Sequence, residues 1–311
     1  MSRSPHSPST DPASEVTVRT GRRRGARRRS VVSYFFRLLA LSLIALPIVA
    51  LIFAFVQPIE WERARIGFER HWRSNAAKLG VTLPGTPDLA DLDGRLASHG
   101  LKAGDAIFMR IFKREFELEL WMKRDGRFHR FASYPICKWS GELGPKIKQG
   151  DRQAPEGFYT VDAKALNPKS AWHRSFNLGF PNTFDKTLGR TGSFLMVHGG
   201  CGSIGCYAMT NPVIDEIWRL VTAALDSGQQ RFQVQVFPFR MTERNLALYG
   251  GTGNSAFWTS LKPGYDLFEA SQLPPKVSVC NKRYAFAAGA EGSDGSAPIE
   301  AACPVGSLAT P

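Results

Sequence analysis

The feature that most constrains this chain is an uncharged apolar run of 19 residues, from Leu38 to Val56. At about 1.5 Å per helical residue, a run of this length nearly matches the hydrocarbon core of a bilayer. The apolar character extends back to Val31 and is interrupted only by Arg37. The sequence therefore predicts one transmembrane helix over residues 31–56, and the rest of the chain must fold outside the bilayer.

The segment before this helix is rich in Ser, Pro, Thr and Arg without apolar periodicity, so residues 1–30 are predicted to be a disordered tail. Eight arginines against Asp11 and Glu15 give it a net charge of +6, nearly half of the +13 of the whole chain. Such a tail can bind nucleic acid. Arginines directly before an apolar helix instead place the N-terminus in the cytoplasm, so we expect an uncleaved anchor and no nucleic-acid partner. A cleavable signal peptide is the alternative, although its apolar core usually has only about 7 to 15 residues.

After the apolar run, the pattern is first helical and then strand-like. Residues 58–80 resemble a helix leaving the membrane, which could form a stalk or pack on the domain; we assign residues 57–103 to a helical stalk or linker. Strand-like runs then recur at residues 106–112, 115–122, 127–132, 158–162, 194–197 and 232–237. The sequence therefore predicts a mainly β fold with accessory helices.

One strand shows a clear alternation of side chains. Apolar residues at 116, 118, 120 and 122 alternate with glutamates at 115, 117 and 119. Such alternation is typical of a sheet with one face on the core and the other in water. One face of this sheet is therefore expected to be exposed.

The chemistry is concentrated in residues 196–210, where His198 follows a short apolar strand and Cys206 lies eight positions later. Glycines at 199, 200, 202 and 205 allow the loop between them to turn its N–H groups inward. Asn211 and Pro212 then predict the start of a helix that extends to about Asp226.

A histidine and a cysteine in this arrangement can perform nucleophilic catalysis. The thiolate is the nucleophile, and a free thiol with a pKa of about 8.5 needs a base near it. His198 can exchange protons near neutrality, and the N–H groups of Gly205, Cys206 and Tyr207 could stabilise an oxyanion. The implied chemistry is acyl transfer through a thioester.

Two other interpretations of these residues remain open. In the first, His198 and Cys206 both have structural roles only. Alternatively, His198, Cys201 and Cys206 could bind zinc with His173 as a fourth ligand, although the sequence has no second pair of ligands at the usual spacing.

Two motifs resemble the L,D-transpeptidase (YkuD) catalytic domain, in its branch with a short loop. His198-Gly199 followed by Ser203-x-Gly205-Cys206 is similar to the active-site motif of this family. About 40 residues upstream, residues 148–159 (KQGDRQAPEGFY) are similar to its G-D-x-x-T-P-E-G-x-Y segment. Ile204 and Ala208 stand where many members have a second histidine and an arginine, and Ala154 stands where they have threonine.

This resemblance covers roughly residues 104–240 and implies a β-sandwich of mixed sheets. Cys206 would be the nucleophile and His198 the general base, with Ser203 and Gly205 in the active-site turn. The family acts on peptidoglycan stem peptides, so we expect cleavage before D-Ala at position four and transfer to an amine, either a neighbouring stem or a lysine of a lipoprotein or outer-membrane protein. Hydrolysis is the alternative, with release of proteins or cross-links from peptidoglycan, and a wall-binding module without activity is a third possibility. No cofactor or metal is implied.

The same resemblance extends to location and substrate binding. It implies an inner-membrane protein with a periplasmic catalytic domain. The cleft that binds an anionic peptide would need cations, for which we select Arg152 and Arg190, with Tyr159 lining it.

The remaining cysteines and the C-terminal region complete the predictions. In an extracytoplasmic domain Cys280 and Cys303 could form a disulfide. Cys201 is a neighbouring thiol or a redox partner of Cys206, and Cys137 is expected to be buried. Residues 241–287 are predicted to be an extension packed on the domain, and residues 288–311 a disordered tail.

Overall fold

The computed structural model describes residues 25–55, 58–290, 292 and 294–303, and the chain divides into two compact units, residues 1–57 and 58–311. In the first unit, α1 (Gly25–Phe55) contains the window Val32–Ala50, which is long and apolar enough to cross a membrane. Of the predicted tail, residues 1–24 lie outside the described residues, and residues 25–30 belong to α1. By length and composition, α1 is a single-pass anchor or a signal sequence.

The second unit contains six helices and twelve strands among its described residues. The helices are α2 (Pro58–Lys78), α3 (Leu92–Ser98), α4 (Thr183–Thr187), α5 (Asn211–Asp226), α6 (Glu243–Tyr249) and α7 (Ser255–Ser271). The strands are β1 (Ile107–Phe112), β2 (Glu117–Arg124), β3 (Arg127–Pro135), β4 (Lys138–Trp139), β5 (Gly157–Asp162), β6 (Leu166–Ser170), β7 (His173–Asn177), β8 (Met196–His198), β9 (Tyr207–Ala208), β10 (Arg231–Phe237), β11 (Lys276–Cys280) and β12 (Arg283–Ala287). A single turn of 3₁₀ helix, Ala163–Ala165, follows β5.

The strands form two mixed five-stranded sheets and one hairpin. The first sheet has the order β3-β2-β1-β10-β5, with β1 and β10 parallel; the second has the order β4-β9-β8-β7-β6, with β8 and β9 parallel. Side chains such as Leu118 and Val234 from the first sheet, Phe176 and Val197 from the second, and Ile217 from α5 share one hydrophobic core. The predicted β-rich fold of mixed sheets with accessory helices is confirmed.

The expectation that one face of the first sheet is exposed to water is wrong. Glu119, on the face opposite Leu118 and Leu120, is 1% exposed and pairs with Arg130 and Arg240. This face is covered by the chain after residue 241, which contributes a second apolar cluster to it. A charged residue in a strand pattern can therefore lie under a later segment when neighbouring side chains of opposite charge, here Arg130 and Arg240, pair with it.

The helix after the apolar run packs on the domain and is not a free stalk. Ile66 of α2 is buried in the main core, and Glu62 accepts two hydrogen bonds of 3.0 Å from Arg114, which follows β1. Arg70 donates to the carbonyl oxygen of Gly141 at 2.7 Å and lies over the ring of Trp139.

The C-terminal segment also differs from its prediction. Residues 294–303 are not a free tail: Glu300 forms a bridge with Ser278 of β11, and Cys303 forms a disulfide with Cys280. Thr183 donates to the carbonyl oxygen of Ile299 at 2.5 Å. The rest of the predicted tail, residues 304–311, lies outside the described residues.

Candidate active site

The second sheet brings His198 and Cys206 to one place. β8 ends at His198 and β9 begins directly after Cys206, and the two strands pair in parallel with Val197 opposite Tyr207. Residues 199–205, which we call the catalytic loop, connect them. This register places Cys206 beside Met196, only two residues before His198, and the side chains of His198 and Cys206 line one pocket.

This pocket has a volume of about 360 Å³ and is open to solvent. It is lined by Ser170, Ala171, Trp172, Phe194, Met196, His198, Gly202, Ile204 and Cys206. Three large apolar side chains at its rim, Trp172, Phe194 and Ile204, are exposed by 50, 72 and 76%. A substrate can therefore reach the thiol across a largely apolar rim.

Cys206 is a free thiol that contacts the backbone at and just before the start of β8. Its Sγ accepts a hydrogen bond from the N–H of Met196 at 3.4 Å and lies 3.5 Å from the carbonyl oxygen of Phe194. Burial raises the pKa of the thiol above its ordinary value, while the N–H of Met196 and the positive charge of Lys146 oppose this shift. At neutral pH the resting group is therefore the protonated thiol, which needs a base to become a nucleophile.

His198 has the properties of such a base. Its Nδ1 lies 2.6 Å from the carbonyl oxygen of Gly199; since a carbonyl can only accept, Nδ1 must carry the proton and Nε2 has a free lone pair. Burial lowers the pKa of the imidazole, against a smaller opposing effect of the Gly199 hydrogen bond. The ring of Trp172 lies 5.8 Å from the imidazole ring. His198 is thus a neutral imidazole at neutral pH, ready to accept one proton.

Ser203 positions Cys206 through its backbone. The Ser203 hydroxyl accepts from the N–H of Cys206 at 3.0 Å, donates to the Cys206 carbonyl oxygen at 2.7 Å, and lies 2.8 Å from the hydroxyl of Ser140. The prediction that the Cys206 N–H faces an oxyanion is therefore wrong in this structure, because Ser203 occupies that N–H. Gly205 keeps an N–H without an acceptor among the residues that the structure describes.

Gly205 is required by its backbone geometry. It is buried with φ at +120°, a conformation that side chains rarely adopt, and a Cβ there would lie 3.4 Å from Leu195. The turn immediately before Cys206 therefore depends on glycine.

The first half of the catalytic loop is held by two side chains from outside it. Asn211 accepts from the N–H of Gly200 at 2.7 Å, and the ring of Trp172 packs so closely that a Cβ on Gly202 would lie 2.8 Å from it. α5 begins at Asn211 as the sequence predicts, and the residue in the N-cap position is Thr210. The Asn211 side chain is used by the catalytic loop instead.

The upstream motif packs beside the turn that precedes Cys206. Asp151 accepts from the N–H groups of Ile147, Lys148 and Gln153 and forms an ion pair of 2.5 Å with Lys146. Lys146 is only 4% exposed, and the Gln153 carbonyl oxygen lies 3.8 Å from the Cβ position of Gly205. Lys146 was not among the cations selected from the sequence; the available signal was its spacing of five residues from Asp151.

Two of the three residues predicted to bind substrate, Arg190 and Tyr159, do not line the pocket. Arg190 is buried, forms an ion pair of 2.9 Å with Asp185 and packs over Phe257. Tyr159 is 1% exposed and donates to the carbonyl oxygen of Glu156. The polar groups of Arg190 and Tyr159 are buried against these partners, and neither residue lines the pocket. Arg152 is exposed beside Gln153, and its role stays a prediction.

The cysteine pairing changes two further interpretations. Cys201 forms a disulfide with Cys137, so its predicted role as a neighbouring thiol or partner of Cys206 is wrong, while the predicted Cys280–Cys303 disulfide is present. A sulfur already bonded to sulfur cannot be a thiolate ligand, so the zinc set that included Cys201 is also wrong. The described residues contain no cluster of three or more metal-binding side chains.

Comparison with known proteins gives a consistent result. Residues 117–236 match the model of the YkuD family, described as the L,D-transpeptidase catalytic domain. The candidate L,D-transpeptidase YafK of Escherichia coli (strain K12) is 49% identical over 181 residues, which cover 58% of this chain and 74% of YafK.

Two solved structures are similar at lower identity. The helical cell shape determining protein Pgp2 of Campylobacter jejuni is 20% identical with a TM-score of 0.35, covering 52% of this chain and 60% of Pgp2. Bd1075 of Bdellovibrio bacteriovorus is 16% identical with a TM-score of 0.32, covering 56% and 77% of the two chains.

Proposed function

The chain belongs to the YkuD family of L,D-transpeptidase catalytic domains, and from that premise we propose that it is a cysteine acyltransferase of the bacterial cell wall. Its donor is a peptidoglycan tetrapeptide stem, cleaved between the diamino acid at position three and D-Ala at position four. Its acceptor is an amine, on a neighbouring stem or on a lysine of a lipoprotein or outer-membrane protein. The observation that carries the proposal is the shared pocket of a free thiol, Cys206, and an imidazole, His198, with an unprotonated Nε2.

Acylation begins with proton transfer. As the Cys206 sulfur attacks the carbonyl carbon of the diamino acid, His198 Nε2 takes the thiol proton. The Met196 N–H already points at the sulfur and stabilises its negative charge. The N–H of Gly205 is the available donor for the oxyanion of the tetrahedral intermediate.

Collapse of this intermediate breaks the amide bond. The imidazolium of His198 returns its proton to the leaving nitrogen, so D-Ala departs as a neutral amine and the stem remains on Cys206 as a thioester. The acceptor amine then attacks the thioester carbon, His198 takes its proton, and the thiol is restored. Water in place of the amine gives hydrolysis by the same steps.

Location and domain limits belong to the same proposal. With α1 as the anchor, the catalytic domain faces the periplasm, where peptidoglycan is found, and residues 104–240 form its catalytic part. This assignment is supported by the arginines before α1, which favour a cytoplasmic N-terminus.

The test is mass spectrometry of products formed by the full-length protein in detergent. Wild type and Cys206→Ala are incubated with tetrapeptide muropeptides, with and without a lysine-containing peptide. Cross-linked or lysine-linked products that depend on Cys206 support transpeptidation. Loss of D-Ala, or release of a preformed lysine-linked product, without new linkages makes the protein a hydrolase. Equal results for wild type and Cys206→Ala refute an enzymatic role and leave a wall-binding module.

A further inference from the structure

Cys137 and Cys201, which the proposed chemistry does not use, form a disulfide beside the nucleophile. Cys201 lies in the catalytic loop, five residues before Cys206, whereas Cys137 lies 64 positions earlier in the chain, between β3 and β4. The bond therefore joins the catalytic loop covalently to a distant part of the fold.

Both cysteines are fixed to the chain that follows the nucleophile. The N–H of Cys137 donates to the carbonyl oxygen of Ala208 at 2.9 Å, and the N–H of Cys201 donates to that of Met209 at 3.1 Å. Met209 in turn donates to the carbonyl oxygen of His198 at 2.7 Å. The disulfide thus lies within a short network that includes the backbone of the base and the strand beginning directly after Cys206.

The other side of the disulfide rests on α2. Cys137 and Cys201 form a small apolar cluster with Ala76 and Leu83, against which Trp72 packs. Cys137 is fully buried and Cys201 is 9% exposed. The disulfide therefore packs on α2 through Ala76, and this contact connects the catalytic loop to that helix.

The loop needs such support because its own conformation is strained. Cys201 has φ at +56°, in the left-handed region that side chains other than glycine and asparagine rarely adopt. Its glycine neighbours Gly200 and Gly202 contribute no side-chain packing of their own. A strained residue between two glycines is expected to relax when its covalent tether is removed.

We infer that the Cys137–Cys201 disulfide holds the catalytic loop in its active geometry, so that reduction of this bond lowers the acyl-transfer activity of Cys206. The inference rests on the proposed function for its activity readout, but not for its effect on the reactivity of Cys206. Cys137 and Cys201 are positioning residues, because they act through the loop without lining the pocket.

The redox step is a thiol–disulfide exchange with a dithiol reductant. A reductant thiolate attacks the sulfur of Cys201, the more exposed of the two, and Cys137 leaves as a thiolate that takes up a proton. The second reductant thiol then displaces Cys201 and closes the reductant disulfide. Two electrons and two protons pass to the protein, which gains two thiols. One of them, Cys201, is then a free thiol five residues from the nucleophile.

The Cys280–Cys303 disulfide provides a matched control. It closes a separation of 23 residues and joins β11 to the C-terminal segment, away from the pocket-lining residues. Full-length protein is prepared as wild type, as Cys280→Ala with Cys303→Ala, and as Cys137→Ala with Cys201→Ala. Each is assayed with and without dithiothreitol, and disulfide state is read from the mass after labelling of free thiols.

We expect dithiothreitol to lower kcat about 10- to 100-fold in wild type and by the same factor in the Cys280/Cys303 variant. The KM should change little, because a small displacement of the nucleophile acts mainly on the chemical step. Reoxidation restores activity. The Cys137/Cys201 variant starts at the low value and does not respond to reductant. Because burial suppresses the thiolate of Cys206, alkylation of Cys206 by iodoacetamide at pH 7 becomes faster once the loop is released.

Two results overturn the inference. One is a wild-type protein in which the Cys137–Cys201 bond is shown to be reduced while kcat and Cys206 alkylation change less than twofold. The other is an equal response of activity to loss of the Cys280–Cys303 bond. If no substrate is turned over but reduction of the Cys137–Cys201 bond still changes Cys206 alkylation, the proposed function fails while the positioning role stands.

Discussion

Replacement of Ser203 by alanine tests whether its hydroxyl orients the nucleophile. The hydroxyl makes three hydrogen bonds, to the N–H and carbonyl of Cys206 at 3.0 and 2.7 Å and to Ser140 at 2.8 Å. At a net value of about 0.5 to 1.5 kcal/mol for each bond, Ser203→Ala should lower the free energy of unfolding by roughly 1.5 to 4.5 kcal/mol. Ser140→Ala removes only one of the three bonds and should cost about 1 kcal/mol.

The effect on activity separates the two variants further. Ser203→Ala releases the backbone of Cys206 and should reduce kcat/KM for acylation about 10- to 100-fold, whereas Ser140→Ala leaves both bonds to Cys206 in place. Denaturant unfolding measures stability, and single-turnover formation of the thioester, followed by mass spectrometry, measures acylation. Ser203→Thr keeps a hydroxyl and should recover part of the loss. The reasoning is refuted if Ser203→Ala and Ser140→Ala acylate at the same rate while both are folded.

Three further outcomes are expected. Burial lowers the pKa of His198, so acylation should be lost only as pH falls below the ordinary histidine value of about 6.5. Burial also raises the pKa of Cys206, so iodoacetamide should label this thiol faster as pH rises. Rapid labelling that does not change down to pH 5 would instead indicate a preformed ion pair of the two residues. Arg190→Ala leaves the buried carboxylate of Asp185 without its partner and should lower the free energy of unfolding, measured with denaturant, by about 3 to 5 kcal/mol. The KM should not change. A raised KM at unchanged stability would support the substrate-binding role instead. Gly205→Ala forces a side chain into a φ of +120° and should reduce kcat well below that of wild type in the same acylation assay, a loss that normal turnover by the folded variant would contradict.

Local sequence pattern was sufficient for the elements that carry the site. Short apolar runs predicted the strands that became β1, β5 and β10, and Pro212 with the apolar spacing after it predicted α5 over the observed residues. The pairing of His198 with Cys206 followed from the glycine spacing between them. These features depend on neighbours within about ten positions, which a single sequence displays directly.

Contacts with distant parts of the chain determined where the side chains of the predicted binding residues lie. Arg190 and Tyr159 carry suitable groups, yet Arg190 packs over Phe257 of α7 and the buried Tyr159 hydroxyl lies 3.5 Å from Asp185 of α4. Glu119 appeared to mark a wet face but is buried under the C-terminal extension. The orientation of a charged side chain depends on which distant segment covers it, and alternation along one strand does not encode that.

The sequence by itself determined that this chain has one apolar segment able to span a bilayer, a β-rich domain after it, and a histidine and a cysteine eight positions apart in a glycine-rich loop. Only the tertiary structure decided that Cys201 pairs with Cys137, that the Ser203 hydroxyl accepts from the N–H of Cys206, and that α2 packs against the disulfide. The physical reason is the separation along the chain of the residues that must come into contact. Helix and strand patterns arise from contacts a few residues apart, whereas a disulfide across 64 positions depends on how the complete chain packs.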